Sequence, residues 1–373
     1  MKLQKTGRGS FYGDFLYDMI VPQNHFLRHL REAVPWQRYT YRLIKYYRGK
    51  GERGRPPVDP AVVLKMLLLS YLYDLSERDV EEYCNMHLAA KYFLGVSVDA
   101  KVPNHSTLSV FKKRILENGR VEAYKKLLEA MIADAREPGV VFGTLQLIDS
   151  THSIADVNVA KDKKRQKEGQ EPRDPDSRWG CKGSYYVTDE KGKRQRRKKF
   201  FYGSKTHTSM NAGAQMITSL ITSGGNRYDG HFLTDLIAHD LKQGLPVGVC
   251  AADRGYDDTN NHVWLEERGI GNAIHLNRYR THKKDSNREK WLELKGAPWY
   301  QEALSERYQI ERKFGEARLP IGQAKHHGLG RCRYVGGERY AIQAYLTAIA
   351  LNLKQLVGGL TGVSLRGPML ISS

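Results

Sequence analysis

Leu304-Ser-Glu-Arg-Tyr-Gln-Ile-Glu-Arg-Lys-Phe-Gly-Glu-Ala-Arg318 carries a helical pattern. For about two and a half turns it has neither Gly nor Pro, and its residues favour helix. On a helical wheel Arg307, Glu311 and Arg318 share one side. Ile310, Phe314 and Ala317 share a neighbouring apolar side. The spacing predicts a helix that packs with one stripe and presents a carboxylate flanked by two guanidiniums along the next. Glu316 competes for that role, but five residues from Glu311 it lies about 140° around the helix, so both cannot face one site. The company of the two arginines favours Glu311. Such a helix can hand a metal-ligating Glu to a site made elsewhere, and Leu145-Gln-Leu-Ile-Asp149 and Val249-Cys-Ala-Ala-Asp253 end in acids that can complete it.

Around these segments the periodicity predicts a strand over 145–154, two further strands over 200–209 and 215–222 as antiparallel neighbours, and a helix over 231–242. A fully apolar strand over 246–252 reads as the buried middle of a sheet. A helix over 260–268, a short strand over 271–276 and a last helix over 338–356 complete the order. A mixed sheet covered by helices follows. An acid just past an apolar strand lies at the sheet edge, where α/β sheets bind ligands. Alone, a strand-end Asp reads more readily as a turn former. Three acids converging there would bind two hard divalent cations about 4 Å apart.

The N-terminal part reads differently. Residues 1–20 have no clear period, and Phe26 to Val34 is a short amphipathic segment. Arg38 to Arg55 mixes cations and tyrosines, which suits either phosphate contact with base stacking or a solvated linker. Asp59 and Pro60 predict an N-cap and first helical position for a buried helix to about Asp74. Ser76 with Asp79 predicts a capping-box start for a second, to about Met86. A third begins near Ser106 and carries Lys112, Lys113 and Arg114 as candidate DNA contacts. The three are compatible with a helix-turn-helix-like module. An amphipathic helix over 121–136 ends at Pro138-Gly139, giving an expected helical domain over 1–138, a catalytic domain over 139–357 and a tail over 358–373.

The formal charge of +19 across 373 residues points to a polyanionic partner, nucleic acid first. A membrane surface is the lesser expectation, and no apolar run approaches a membrane span. Four scattered cysteines without a C-x-x-C pair argue against a zinc ribbon or disulfide framework and for a reducing compartment. With no signal-peptide-like apolar region, a cytoplasmic protein is expected. Lys161 to Lys199 reads as a basic loop or flexible hairpin inserted into the sheet, either neutralising phosphates, with Arg196, Arg197 and Lys198 as contacts, or solvated. Arg278 to Lys295 reads as another basic loop.

Ile-Asp-Ser-Thr-His at 148–152, Ala-Asp-Arg-Gly-Tyr-Asp at 252–257 and Arg-Tyr-Gln-Ile-Glu-Arg-Lys-Phe-Gly at 307–315 resemble the three catalytic blocks of bacterial insertion-sequence DDE transposases. The stretches Gly54–Pro60, Leu75–Asp79 and Asn104–Leu108 resemble the helical N-terminal domain of the same group. The resemblance covers roughly residues 20–355. It implies an RNase H-like α/β catalytic core after an all-helical DNA-binding domain. It also implies Asp149, Asp253 and Glu311 as the catalytic, metal-binding triad, two Mg²⁺ ions with Mn²⁺ able to substitute, cleavage at the element's ends and transfer of the 3′-hydroxyls to target DNA. In the family's Tyr-x-x-Arg-x-x-x-Glu-x-x-x-x-x-x-Lys pattern, Arg307 and Glu311 match, Leu304 stands at the Tyr position and Arg318 at the Lys position. Double-stranded DNA is the implied partner, with a homodimer on it and a nucleoid-associated location.

Lys205 and His207 share a strand face and resemble a family Gly-x-Lys-x-His strand beside the site; they read either as phosphate contacts or as a polar strand surface. Arg254 reads as a backbone contact. His152 reads as a metal contact or as structural, Trp179 as a base-stacking ring or an anchor for the insertion, and Asp257 as the cap of the following helix. Two other readings stay open: a plain RNase H-like nuclease without strand transfer, and an inactive DNA-binding derivative.

Overall fold

A computed structural model describes residues 3–4, 11–47, 56–189, 192–277, 286–318, 328–365 and 367–368. The described chain divides into two compact units, one running to Val140 and resuming at Tyr345, the other spanning the described residues from Val141 to Ala344.

The first unit is helical. It contains α1 (Phe11–Ile20), α2 (Phe26–Ala33), α3 (Trp36–Ile44), α4 (Pro60–Leu72), α5 (Glu77–Met86), α6 (Leu88–Leu94) and α7 (His105–Arg136). The apolar run of α4 is its centre, buried at every position but Tyr71. Asp59 caps α4 by accepting from the Ala61 amide, and the reciprocal Ser76/Asp79 box starts α5, as the sequence predicts. Gly95 at φ +75° ends α6, a conformation open to glycine at no steric cost. Lys65 interrupts the apolar run yet stays buried. Its ammonium donates to the Phe93 carbonyl at 2.8 Å and sits over the Trp36 and Phe93 rings, and burial pushes its pKa down to about 7.

Several expectations are corrected here. The N-terminal region contains α1. Much of Arg38–Arg55 is helix α3, with Tyr39 and Leu43 buried; residues 48–55 lie outside the described residues. The two helices expected over 106–136 form one element broken at Arg120 (φ 51°, ψ −162°).

The second unit is built on β1 (Leu145–Ile154). After it come α8 (Val159–Lys167), β2 (Arg178–Thr188), β3 (Arg194–Asn211), β4 (Met216–Gly224), α9 (Leu233–Lys242), β5 (Val249–Ala252), α10 (Thr259–Glu266), β6 (Gly271–Ile274), α11 (Ser286–Leu294), α12 (Pro298–Ser305) and α13 (Tyr308–Arg318). α14 (Gly337–Thr361) passes from this unit into the first. β1 pairs antiparallel with β3 and parallel with β5, β5 pairs parallel with β6, and β4 pairs with β3. This is the mixed α/β sheet expected. The helices cover both faces: Ile148 and Ala252 pack with α9 and α10, while Leu147 and Ala251 pack with α12 and α13.

The basic stretch 161–199 forms the hairpin that is one of its two readings, as β2–β3, with helix α8 before it. Two predicted segments take other forms. The stretch 278–295 contains α11, with residues 278–285 outside the described ones. The single helix over 304–318 is interrupted at Glu306–Arg307, where the Ser305 hydroxyl donates to the Glu302 carbonyl at 2.7 Å.

Asp240, on α9, is fully buried and accepts from the Ser209 hydroxyl at 2.5 Å; burial pushes its pKa up to about 7. A raised carboxyl contributes stability below its unfolded value that is lost as pH rises through the folded value. Asp240→Asn, which mimics the neutral acid, is therefore expected to leave stability unchanged at pH 4 and to raise it by about 2–4 kcal/mol at pH 8, as read by thermal unfolding.

Candidate active site

The parallel register sets two acids side by side. Ile148 pairs with Ala252, so Asp149 and Asp253 follow on adjacent strands just where β5 ends. Side chains alternate between sheet faces, which puts Asp149 with Leu147 and Asp253 with Ala251 on the face covered by α12 and α13. α13 carries Glu311 in its first turn. From the turn before α13, Arg307 reaches Asp149 at 3.4 Å and Glu311 at 4.0 Å. The Asp149 side chain is only 17% exposed. Burial, then the charge of Asp253, pushes its pKa up to about 7, against the pull of Arg307 and of the Ser150 amide.

Glu316 faces elsewhere on α13 and pairs with the buried Lys313 at 3.8 Å. Ile310, Phe314 and Ala317 are buried, so the predicted apolar stripe does pack. The side chain of Arg318 lies outside the described residues.

The turn after β5 is shaped around Asp253. Its carboxylate accepts from the Gly255 amide at 2.8 Å, and a methyl added at Gly255 would stand 2.9 Å from the same oxygen. Asp257 does not cap α10; Asp258 does. Asp257 instead binds Arg288 through both oxygens at 2.6 and 2.9 Å, the Asn277 amide at 2.6 Å and His262 at 3.0 Å. Burial alone would raise its pKa, but the bonds from His262 and Arg288 hold it well below the usual carboxylate range. His262 stacks on the buried Trp291 at 4.1 Å. This cluster fixes the turn that carries Asp253, and the sequence reading missed it because Arg288 comes from a segment read as a loop.

A cavity of about 330 Å³ is lined by Ser150, Lys205, Asp229 and Glu311, among others. Lys205 is tied to Asp229 at 2.9 Å and to the Arg227 carbonyl at 3.0 Å. His207 is fully buried, stacked on Phe232 at 3.9 Å, and burial lowers its pKa to about 4. It is thus neutral and enclosed rather than a solvent-facing phosphate contact. Asp229 was not singled out by sequence, because nothing in its local pattern marks it. His152 packs beside Phe201 at 4.6 Å, and Arg254 is exposed. In the helical unit, Lys112 is buried in an ion pair with Glu77 and is not presented to solvent. Lys113 is 75% exposed, and Arg114 lies over the Tyr47 ring at 4.2 Å.

The three acids are hard oxygen donors with one guanidinium between Asp149 and Glu311, a donor set that suits a hard divalent cation. Among the described residues no three His, Cys, Asp or Glu stand close enough to hold an ion as placed. Glu311 is 64% exposed.

Comparison with known proteins gives two family matches. A transposase domain (DUF772) matches residues 15–114, and a transposase DDE domain matches residues 146–353. Among solved structures, the chain is similar to a piggyBac transposase synaptic complex with hairpin DNA, at 11% identity and a TM-score of 0.32, over 71% of this chain and 53% of that one. It is also similar to a Mos1 transposase paired-end complex with left transposon end, at 12% identity and a TM-score of 0.20, over 80% of this chain and 90% of that one. The chain thus spans about half the length of the piggyBac transposase it matches. Among the described residues no helix is long and apolar enough to cross a membrane.

Two outcomes test this geometry. Asp257→Ala leaves the guanidinium of Arg288, 8% exposed, without its carboxylate. The expected cost is about 3–5 kcal/mol, measured by denaturant unfolding. Gly255→Ala is expected to keep the fold but displace the Asp253 carboxylate from the Gly255 amide, as read in a structure of the variant.

Proposed function

The chain belongs to the transposase DDE domain family, and from that membership we propose that it is an insertion-sequence transposase. In this reading it holds the element's terminal inverted repeats, cleaves the phosphodiester at each end and transfers the freed 3′-hydroxyl to target DNA. The observation that carries the reading is the meeting of Asp149, beside Asp253 at the end of the parallel strands, with the Glu311 helix through Arg307.

Asp149, Asp253 and Glu311 would hold two divalent cations, Mg²⁺ or Mn²⁺, whose charge activates the attacking oxygen and offsets charge developing at phosphorus. Arg307, within reach of both Asp149 and Glu311, is the cation to engage a phosphate oxygen between them. Lys205 stays at the cavity wall, its direction fixed by Asp229, and supplies positive potential without leaving its partner. The exposed Arg254 and Lys113 suit contact with the DNA backbone. Arg318 continues the basic edge of α13 in sequence. The helical domain over 1–138 would grip the terminal repeats. Cutting two ends together needs two active sites, so a homodimer assembles on DNA, in the cytoplasm at the nucleoid.

Replacing Asp149, Asp253 or Glu311 by Ala is expected to lower cleavage at least about a thousandfold while sparing DNA binding. The measurement is nicking of labelled duplex from the element's ends, with Mg²⁺ and with EDTA. Retained cleavage in Glu311→Ala with loss in Glu316→Ala would transfer the third role to Glu316. Nicking without joining would make the protein a plain nuclease, and binding without nicking an inactive DNA-binding derivative. A single protomer across paired ends in sedimentation would remove the dimer.

A further inference from the structure

The outer part of the β2–β3 pair stands exposed. Every residue from Cys181 to Tyr186 and from Arg194 to Phe200 is open to solvent. A two-stranded ribbon with no packed face is marginally stable alone in water. Six of the seven residues from Lys193 to Lys199 are basic, so charge opposes pairing with another ribbon and favours a polyanion.

The cations are distributed over both faces. Tyr186 pairs with Arg196, Tyr185 with Arg197 and Ser184 with Lys198. Alternation then puts Arg194, Arg196 and Lys198 with Tyr186 on one face, and Arg197 and Lys199 with Tyr185 on the other. The first face is pre-arranged: the Arg194 guanidinium lies over the Tyr186 ring at 4.3 Å, and Arg196 Nε donates to the Ser184 hydroxyl at 2.7 Å. The tip is closed by Gly192 at φ +76°, whose amide donates to the Asp189 carbonyl at 2.9 Å. A ribbon lying flat on a phosphate backbone would use only one of these faces. A groove offers phosphates to both. Seven strand residues extend about 23 Å, and the major groove of B-DNA, about 12 Å wide, admits a two-stranded ribbon. At the root, Cys181 and Lys182 line the same cavity as Glu311, so DNA gripped by the ribbon leads to the candidate active site.

We propose that the β2–β3 ribbon enters the major groove of a DNA duplex, with its two faces against the phosphates of opposite strands. The proposal rests on the DNA-processing reading above and adds a specific docking mode to it.

The test uses the full chain, a fluorescein-labelled duplex of the element's terminal sequence, and affinity measured by anisotropy over a series of KCl concentrations. One variant carries Arg194→Gln, Arg196→Gln and Lys198→Gln; the other carries Arg197→Gln and Lys199→Gln. All five side chains are exposed, so thermal unfolding should match the unmodified protein. Each variant is expected to flatten the plot of log affinity against log salt by about 0.9 for each phosphate it no longer neutralises. The unmodified protein is expected to shield guanine N7 atoms, which face the major groove, from dimethyl sulfate, and both variants to lose that shielding. Flattening in only one variant, or no N7 shielding, overturns groove insertion. Slopes unchanged in both variants, with the unmodified protein binding well, overturn the ribbon's role alone. Failure of the unmodified protein to bind any duplex overturns the proposed function as well.

Discussion

Asp149 and Asp253 are forced into proximity by the parallel pairing of β1 and β5, and much of the second unit is arranged to tolerate that repulsion. β5 is only four residues long and ends at Ala252. β1 runs on beyond it, so on its β5 side Asp149 lies beside the turn that begins with Asp253, while β3 pairs with it on the other. Burial first, and then the charge of Asp253, raises the pKa of Asp149. Such an arrangement costs folding free energy and persists only where the surroundings hold it in place. Here the hold comes from below and behind. Leu147 and Ala251 anchor the strands against α12 and α13, and Ile148 and Ala252 anchor them against α9 and α10.

The same logic runs through the turn after Asp253. Gly255 lets the backbone close around the carboxylate, and Asp257 then locks the far end of the turn to Arg288, Asn277 and His262. Truncating either partner of a buried, hydrogen-bonded ion pair strands the other charge, so the cluster acts as a unit. Its residues are distant in sequence, joining the end of β5, α10, the exit of β6 and α11. Rigidity is therefore concentrated beside the acids, where positioning within fractions of an ångström matters.

This explains which parts of the protein were legible in its sequence. Local signals came through. Asp59-Pro60 and the Ser76/Asp79 pair start α4 and α5 through hydrogen bonds made within four residues. The apolar strands and their acids were readable from period alone, and so was the buried stripe of Ile310, Phe314 and Ala317. Features set by distant partners were not. α8 is polar all round and carries no apolar period, although Asn158, which caps it by accepting from the Lys161 amide, was a usable signal. Lys112 and His207 read as DNA contacts because a basic or imidazole group says nothing of Glu77 or Phe232, which enclose them from elsewhere in the chain.

The break between α12 and α13 is the most instructive of the missed features. A continuous helix over 304–318 would have placed Glu311 in mid-helix, where the dipoles of successive peptides cancel locally. The break at Glu306–Arg307 instead creates a helix N-terminus, with Glu311 in its first turn. The positive end of a helix dipole favours negative charge there. Arg307, in the turn, projects to Asp149 while remaining four residues from Glu311. The interruption thus leaves one guanidinium within reach of both Asp149 and Glu311. Beside the interruption the Ser305 hydroxyl donates to the Glu302 carbonyl. The composition of 304–318 favours helix on both sides of the break, and the acids it is set beside lie on β1 and just after β5, more than fifty residues upstream.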